Sequence, residues 1–159
     1  MKEDQFNIDE TTLSVDLSDV TQAVKENRFE DALNLLTVLL KENPNHIDVL
    51  YLSAVSTRFL KKFDDSRKHI ENLLFNAPDM GRAYQELGHL NRDMGNEEKA
   101  VMHYRQACEL NPALPSSWNN LHKYFEKIQN KPAADHASEQ IKKLQSLPGS
   151  LLFIEQILS

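Results

Sequence analysis

The side chains that could do chemistry in this chain of 159 residues are six histidines and one cysteine. His69 and His103 are separated by the same interval as Pro44 and Pro78, but no cysteine or carboxylate with ligand spacing completes a zinc site, which favours solvated surface histidines. Cys108 falls on an apolar helical stripe, a position typical of a buried, unreactive thiol. The sequence has no Ser/His/Asp order, phosphate-cradling glycine loop or paired-carboxylate cleft. We therefore predict no enzyme activity, no metal and no cofactor.

Composition excludes several classes of partner. Lys and Arg number 18 against 24 for Asp and Glu, a net charge of −6, which argues against nucleic acid as a partner. No apolar run reaches the roughly 20 residues of a membrane span, and the acidic N-terminal stretch MKEDQFNIDE is not a secretory signal. A single cysteine fits a reduced compartment. We expect a cytoplasmic protein that binds neither nucleic acid nor membrane.

The chain contains an internal repeat of fixed length. Pro44, Pro78 and Pro112 are evenly spaced, with a period of about 34 residues. A small residue precedes each of these prolines at the same interval, and the series continues one period after the last of these small residues. Its members are Ala32, Ser66, Ala100 and Ala134. Several positions with one shared period predict a repeat architecture.

Each unit has the pattern of two helices. Tyr84, Leu87 and Leu90 form an apolar stripe, Gly95-Asn96 interrupts it, and a second stripe runs to Asn111-Pro112, where proline ends the helix. Two short helices cannot bury their apolar faces alone, so such units stack in arrays. The sequence therefore predicts an all-α solenoid of antiparallel helix pairs.

These residues resemble the tetratricopeptide repeat family. The resemblance rests on the best unit, which contains Tyr84, Leu87-Gly88, Gly95, Ala100, Tyr104, Ala107 and Asn111-Pro112. It implies a superhelix of about four repeats plus a C-terminal helix. The predicted segments are a mobile N-terminal stretch 1–12, units at about 13–46, 47–80, 81–114 and 115–146, and a C-terminal helix at 148–159.

The last residues, LLFIEQILS, contain a further apolar stripe of Leu151, Leu152, Ile154 and Leu158. This stretch is either a capping helix or the start of a fifth repeat that is cut short. It lacks the polar outer face of a finished cap, which favours the second interpretation. In that case the chain is the N-terminal repeat region of a larger bacterial protein.

The resemblance also implies a concave groove lined by the first helix of each unit. The candidate binding residues on this face are Tyr51, Val55, Arg58, Phe59, Arg82, Gln85, His89, Arg92, Asn119, Asn120 and Lys123. The predicted face and its surroundings carry six cations against four carboxylates, which favours an acidic or mixed-charge partner. The alternative for Tyr51 and Phe59 is simple packing against the adjoining unit.

We therefore expect a protein-interaction module that binds a partner peptide or helix in its groove. One alternative is the non-catalytic N-terminal domain of a larger enzyme, such as a bacterial sulfotransferase or glycosyltransferase. Another is an oligomerisation module that forms a homodimer through the C-terminal helix.

Overall fold

The computed structural model describes residues 15–147, which form eight α-helices and no β-strand. The helices are α1 (Ser18–Lys25), α2 (Phe29–Glu42), α3 (Ile47–Phe59), α4 (Phe63–Asn76), α5 (Gly81–Asp93), α6 (Glu97–Leu110), α7 (Pro115–Lys127) and α8 (Lys131–Gln145). The predicted all-α fold is confirmed. The N-terminal stretch 1–12 and the C-terminal helix at 148–159 lie outside the described residues. Within residues 15–147, no helix has the length and apolar character needed to cross a bilayer.

The turn inside each helix pair is the same in all four pairs. After α5, the Gly95 N–H donates to the Arg92 carbonyl at 3.0 Å and the Asn96 N–H donates to the Asn91 carbonyl at 2.8 Å. These two hydrogen bonds pair carbonyl oxygens at the end of the helix that would otherwise lack a partner. The geometry requires a left-handed backbone conformation at the first of the two donor residues. That residue recurs once per repeat, at Asn27, Lys61, Gly95 and Gln129, with φ of 57°, 59°, 81° and 57°.

The connections between pairs contain the repeat prolines. Helices α2, α4 and α6 end at Glu42, Asn76 and Leu110, in each case just before the residue that precedes a proline. Proline cannot continue a helix and disfavours helical geometry in the residue before it, so the chain turns into the next pair. The spacing of the prolines therefore sets the length of each pair.

Small residues let the two helices of a pair approach each other. A β-carbon on Gly88 would lie 2.5 Å from the Tyr104 ring, so the α5–α6 crossing has room only for hydrogen at that position. In the preceding pair, the Ser66 hydroxyl donates to the Ala54 carbonyl at 2.9 Å. Ala54, Ser66 and Ala100 are all buried, as expected for the small positions of the repeat.

The four pairs stack in chain order. Each second helix packs against the first helix of the next pair, and α3, α5 and α7 also lie side by side. One apolar core extends from α1 to α5, and another joins α6, α7 and α8. The row formed by α3, α5 and α7 is the part of the fold from which the candidate binding residues come.

Candidate binding surface

The candidate residues of α3 are mostly buried. Tyr51, Val55 and Arg58 are at most 3% exposed, and only Phe59, at 42%, is open to solvent. Phe59 stacks on Phe29 with ring centroids 4.3 Å apart. Tyr51 and Arg58 contact α5 of the next pair, Phe59 contacts α2 of the preceding pair, and Val55 lies in the apolar core. Phe59 alone offers contact area.

Two candidate residues of α5, Gln85 and His89, are also buried. Gln85 is hydrogen-bonded to α7 of the next pair, and His89 is hydrogen-bonded to α6 of its own pair. The Gln85 side-chain oxygen accepts from the Ser117 N–H at 3.0 Å and from its hydroxyl at 2.6 Å. His89 Nδ1 lies 2.7 Å from the Tyr104 hydroxyl. Burial lowers the pKa of His89 well below its usual range, and the nearby cations Arg58 and Arg92 add to this effect. A neutral imidazole is thus part of the floor of this surface.

A network of ion pairs crosses the row of inner helices. Arg58 of α3 forms a buried ion pair with Glu86 of α5, and its Nη1 lies 2.9 Å from Asp93 Oδ2. Burial disfavours the charge on Arg58, but Glu86 and Asp93 outweigh it and raise its pKa. Asp93 also accepts from Arg92 at 3.0 Å, and Arg92 Nη1 lies 3.4 Å from Asn120 Oδ1 on α7. This network ties three successive pairs together.

The sequence prediction missed the role of Glu86 as the buried partner of Arg58. A usable signal exists, because two of the side-chain contacts between neighbouring first helices share one sequence separation. Arg58 and Glu86 are separated by 28 residues, and so are Arg92 and Asn120. Arg and Glu at this separation, slightly shorter than the repeat itself, indicate a bond between neighbouring first helices.

The solvent-accessible part of the row is rich in cations and amides and also contains the carboxylates Asp93 and Glu126. Arg82 and Asn120 are half-buried, whereas Arg92, Asn119 and Lys123 are exposed. The Arg82 guanidinium lies over the Tyr51 ring, 4.3 Å from its centroid. Its Nε and Nη2 atoms are buried and have no hydrogen-bond partner among residues 15–147. We call these five cationic and amide residues, together with Phe59, the inner surface.

The side chains considered for chemistry were the histidines and Cys108. No group of three or more His, Cys, Asp or Glu residues there could hold a metal ion. Burial lowers the pKa of both His69 and His103, and each is only partly exposed. Cys108 is buried.

The fold and the sequence both indicate a solenoid of tetratricopeptide repeats. Residues 88–129 match the TPR repeat family, so the resemblance to tetratricopeptide repeats is confirmed. Stacked helix pairs of this kind form an interaction scaffold, because a row of parallel inner helices gives an extended binding surface. No curated protein sequence matches the chain.

Solved structures share this fold at low sequence identity. A MamA double mutant (RS-1 ArsTM) has a TM-score of 0.63 and 19% identity, covering 82% of this chain and 75% of the other. MamA residues 41 to the end, from Desulfovibrio magneticus RS-1, has a TM-score of 0.60 and 22% identity, covering 85% and 77%. The C-terminal part of a TPR repeat-containing protein from Cytophaga hutchinsonii has a TM-score of 0.62 and 18% sequence identity. The match covers 89% of this chain and 57% of the other. These likenesses confirm the solenoid fold.

Proposed function

We propose that the chain is a protein-interaction module whose inner surface binds an acidic or mixed-charge segment of a partner protein, without catalysis. The observation that carries this proposal is the run of cations on the inner helices. Arg82, Arg92 and Lys123 lie on α5 and α7, and Arg92 and Lys123 are exposed. Exposed guanidinium and ammonium groups suit the carboxylates of an acidic segment, with which they form charge-assisted hydrogen bonds.

The buried network gives this surface a fixed shape. Arg58 connects α3 to α5 through Glu86, and Arg92 connects α5 to α7 through Asn120. A surface that is already ordered loses less conformational entropy when a ligand binds. The buried candidates Arg58, Gln85 and His89 therefore act on binding by holding Arg82 and Arg92 in place. Tyr51 has the same role, since it lies under the Arg82 guanidinium.

Charge reversal on the inner surface tests the proposal. The probe is a fluorescent pool of extended peptides made of Asp, Glu, Leu and Ser, with a matched pool in which Lys and Arg replace the acids. We expect Arg82→Glu with Arg92→Glu to weaken binding of the acidic pool about tenfold or more, and circular dichroism checks that the double variant is still folded. The basic pool should bind the wild type poorly.

The matched control is Lys68→Glu with Lys142→Glu, which changes the net charge equally on the exposed sides of α4 and α8. Both double variants change the net charge by the same amount, so they change the long-range attraction for the acidic peptides equally. A larger affinity loss in the Arg82→Glu, Arg92→Glu variant therefore indicates a local binding site on the inner surface. Equal affinity losses in the two variants, or no loss in the first, would refute the proposal. A cytoplasmic location stays a prediction, which fractionation of the source cells would check.

A further inference from the structure

The outer side of the solenoid has an open apolar crevice between α6 and α8. Its volume is about 340 Å³, and its floor is formed by Trp118, Leu121 and Phe125 of α7. An apolar cavity of about 150 Å³ is enough to hold benzene. The crevice therefore has room for an aromatic ring.

The crevice exists because α8 has a small residue where the earlier second helices have a large one. Ala137 forms part of the wall, and the equivalent residues one, two and three repeats earlier are His103, His69 and Leu35. The missing side-chain volume at position 137 leaves the half-buried Trp118 ring open to the outer side, above the buried Phe125 ring.

One apolar side chain on another outer surface matches this crevice. Phe75, near the end of α4, is 86% exposed, the largest value among the exposed large apolar residues of the described chain. The equivalent residues of α2 and α6 are Lys41 and Glu109, so an aromatic side chain is specific to this repeat. Exposing a phenylalanine to water is unfavourable, and burying it would release roughly 1.5–3 kcal/mol.

The charges around the two features are complementary. Glu71 lies one turn before Phe75 on the same exposed face of α4. At the crevice, the Arg105 guanidinium lies over the Phe125 ring, 5.1 Å from its centroid. Glu109, one turn further along the same wall, would repel Glu71, so the charges favour one direction of α4 across the crevice.

We propose that Phe75 of one copy inserts into the α6–α8 crevice of a second copy, with Glu71 beside Arg105. The inserted residue and the crevice lie on different surfaces of the chain, so the contact is heterologous and leaves a free Phe75 and a free crevice at the ends. Such a contact extends into open chains. One phenylalanine buries only about 150–250 Å², so association should be weak.

The test uses substitutions taken from the chain's own equivalent positions. Phe75→Lys introduces the residue found at Lys41, and Ala137→His introduces the residue found at His103. Circular dichroism and melting temperature check that both variants fold. Sedimentation velocity from about 10 µM to about 1 mM then measures the average mass. Val38→Lys, which removes an exposed apolar side chain from α2, is the control.

We expect the average mass of the wild type and the Val38→Lys control to rise with concentration past two chains. Each of the other two variants should stay monomeric alone. An equimolar mixture of the two should form species of two chains and no larger, because one supplies the crevice and the other supplies Phe75. A monomeric wild type, a wild type that stops at a dimer, assembly by either variant alone, or a monomeric mixture would overturn the proposal. None of these outcomes depends on the inner surface.

Discussion

The buried ion pair between Arg58 and Glu86 leads to a quantitative prediction about how the repeats are joined. The two side chains are at most 2% exposed, and Arg58 has a second partner in Asp93, which is 28% exposed. Arg58→Met would leave Glu86 buried without a cation, which should cost about 3–5 kcal/mol of unfolding free energy. Glu86→Gln leaves Arg58 paired with Asp93, so a smaller loss of about 1.5–3 kcal/mol is expected.

Removing both charges should restore most of the stability. An apolar pair of similar volume avoids the desolvation of two ions, so Arg58→Met with Glu86→Leu should lie close to the wild type. The assay is urea unfolding followed by circular dichroism, analysed as a double-mutant cycle whose single variants are Arg58→Met and Glu86→Leu. Arg28→Met is the control, since Arg28 also pairs with two carboxylates, Glu26 and Asp31, but at an exposed site.

The control should show no measurable loss, because exposed ion pairs contribute little. A loss below about 1 kcal/mol for Arg58→Met would refute the view that this pair is desolvated. Losses that simply add in the double variant would show that Arg58 and Glu86 act separately. In either case the network could not hold the inner helices in the way proposed above.

Three further predictions concern packing, turns and pH. Gly88→Ala should lower unfolding free energy by about 1–3 kcal/mol because its β-carbon meets the Tyr104 ring; unchanged urea stability would contradict the tight crossing. Lys61→Gly should relieve a left-handed backbone and stabilise by up to about 1 kcal/mol, whereas Gly95→Lys should do the reverse; effects of the same sign would exclude this cause. Burial lowers the pKa of His89, so stability should fall as pH drops below about 6.5, where the unfolded chain takes up a proton that the folded chain does not. His89→Gln should reduce that slope by up to about 1.4 kcal/mol per pH unit in urea titrations, and an unchanged slope would exclude His89.

The sequence by itself determined the repeat and its helices. Pro44, Pro78 and Pro112 end three helices, and small residues such as Gly88 mark a crossing. These signals are local and recur once in every repeat, so each unit supports the prediction made for the others. The assignment of the first helices to an inner row rested on the resemblance to tetratricopeptide repeats and not on these signals.

Only the tertiary structure decided which inner residues reach solvent. Arg58, Gln85 and His89 occupy equivalent-looking polar positions of first helices, as do Arg92 and Lys123, yet the first three are buried and the last two are exposed. The difference arises because burial depends on side chains about one repeat away along the chain, such as Glu86 for Arg58. The helical pattern of one unit contains no information about that neighbour, so exposure follows only from stacking the pairs.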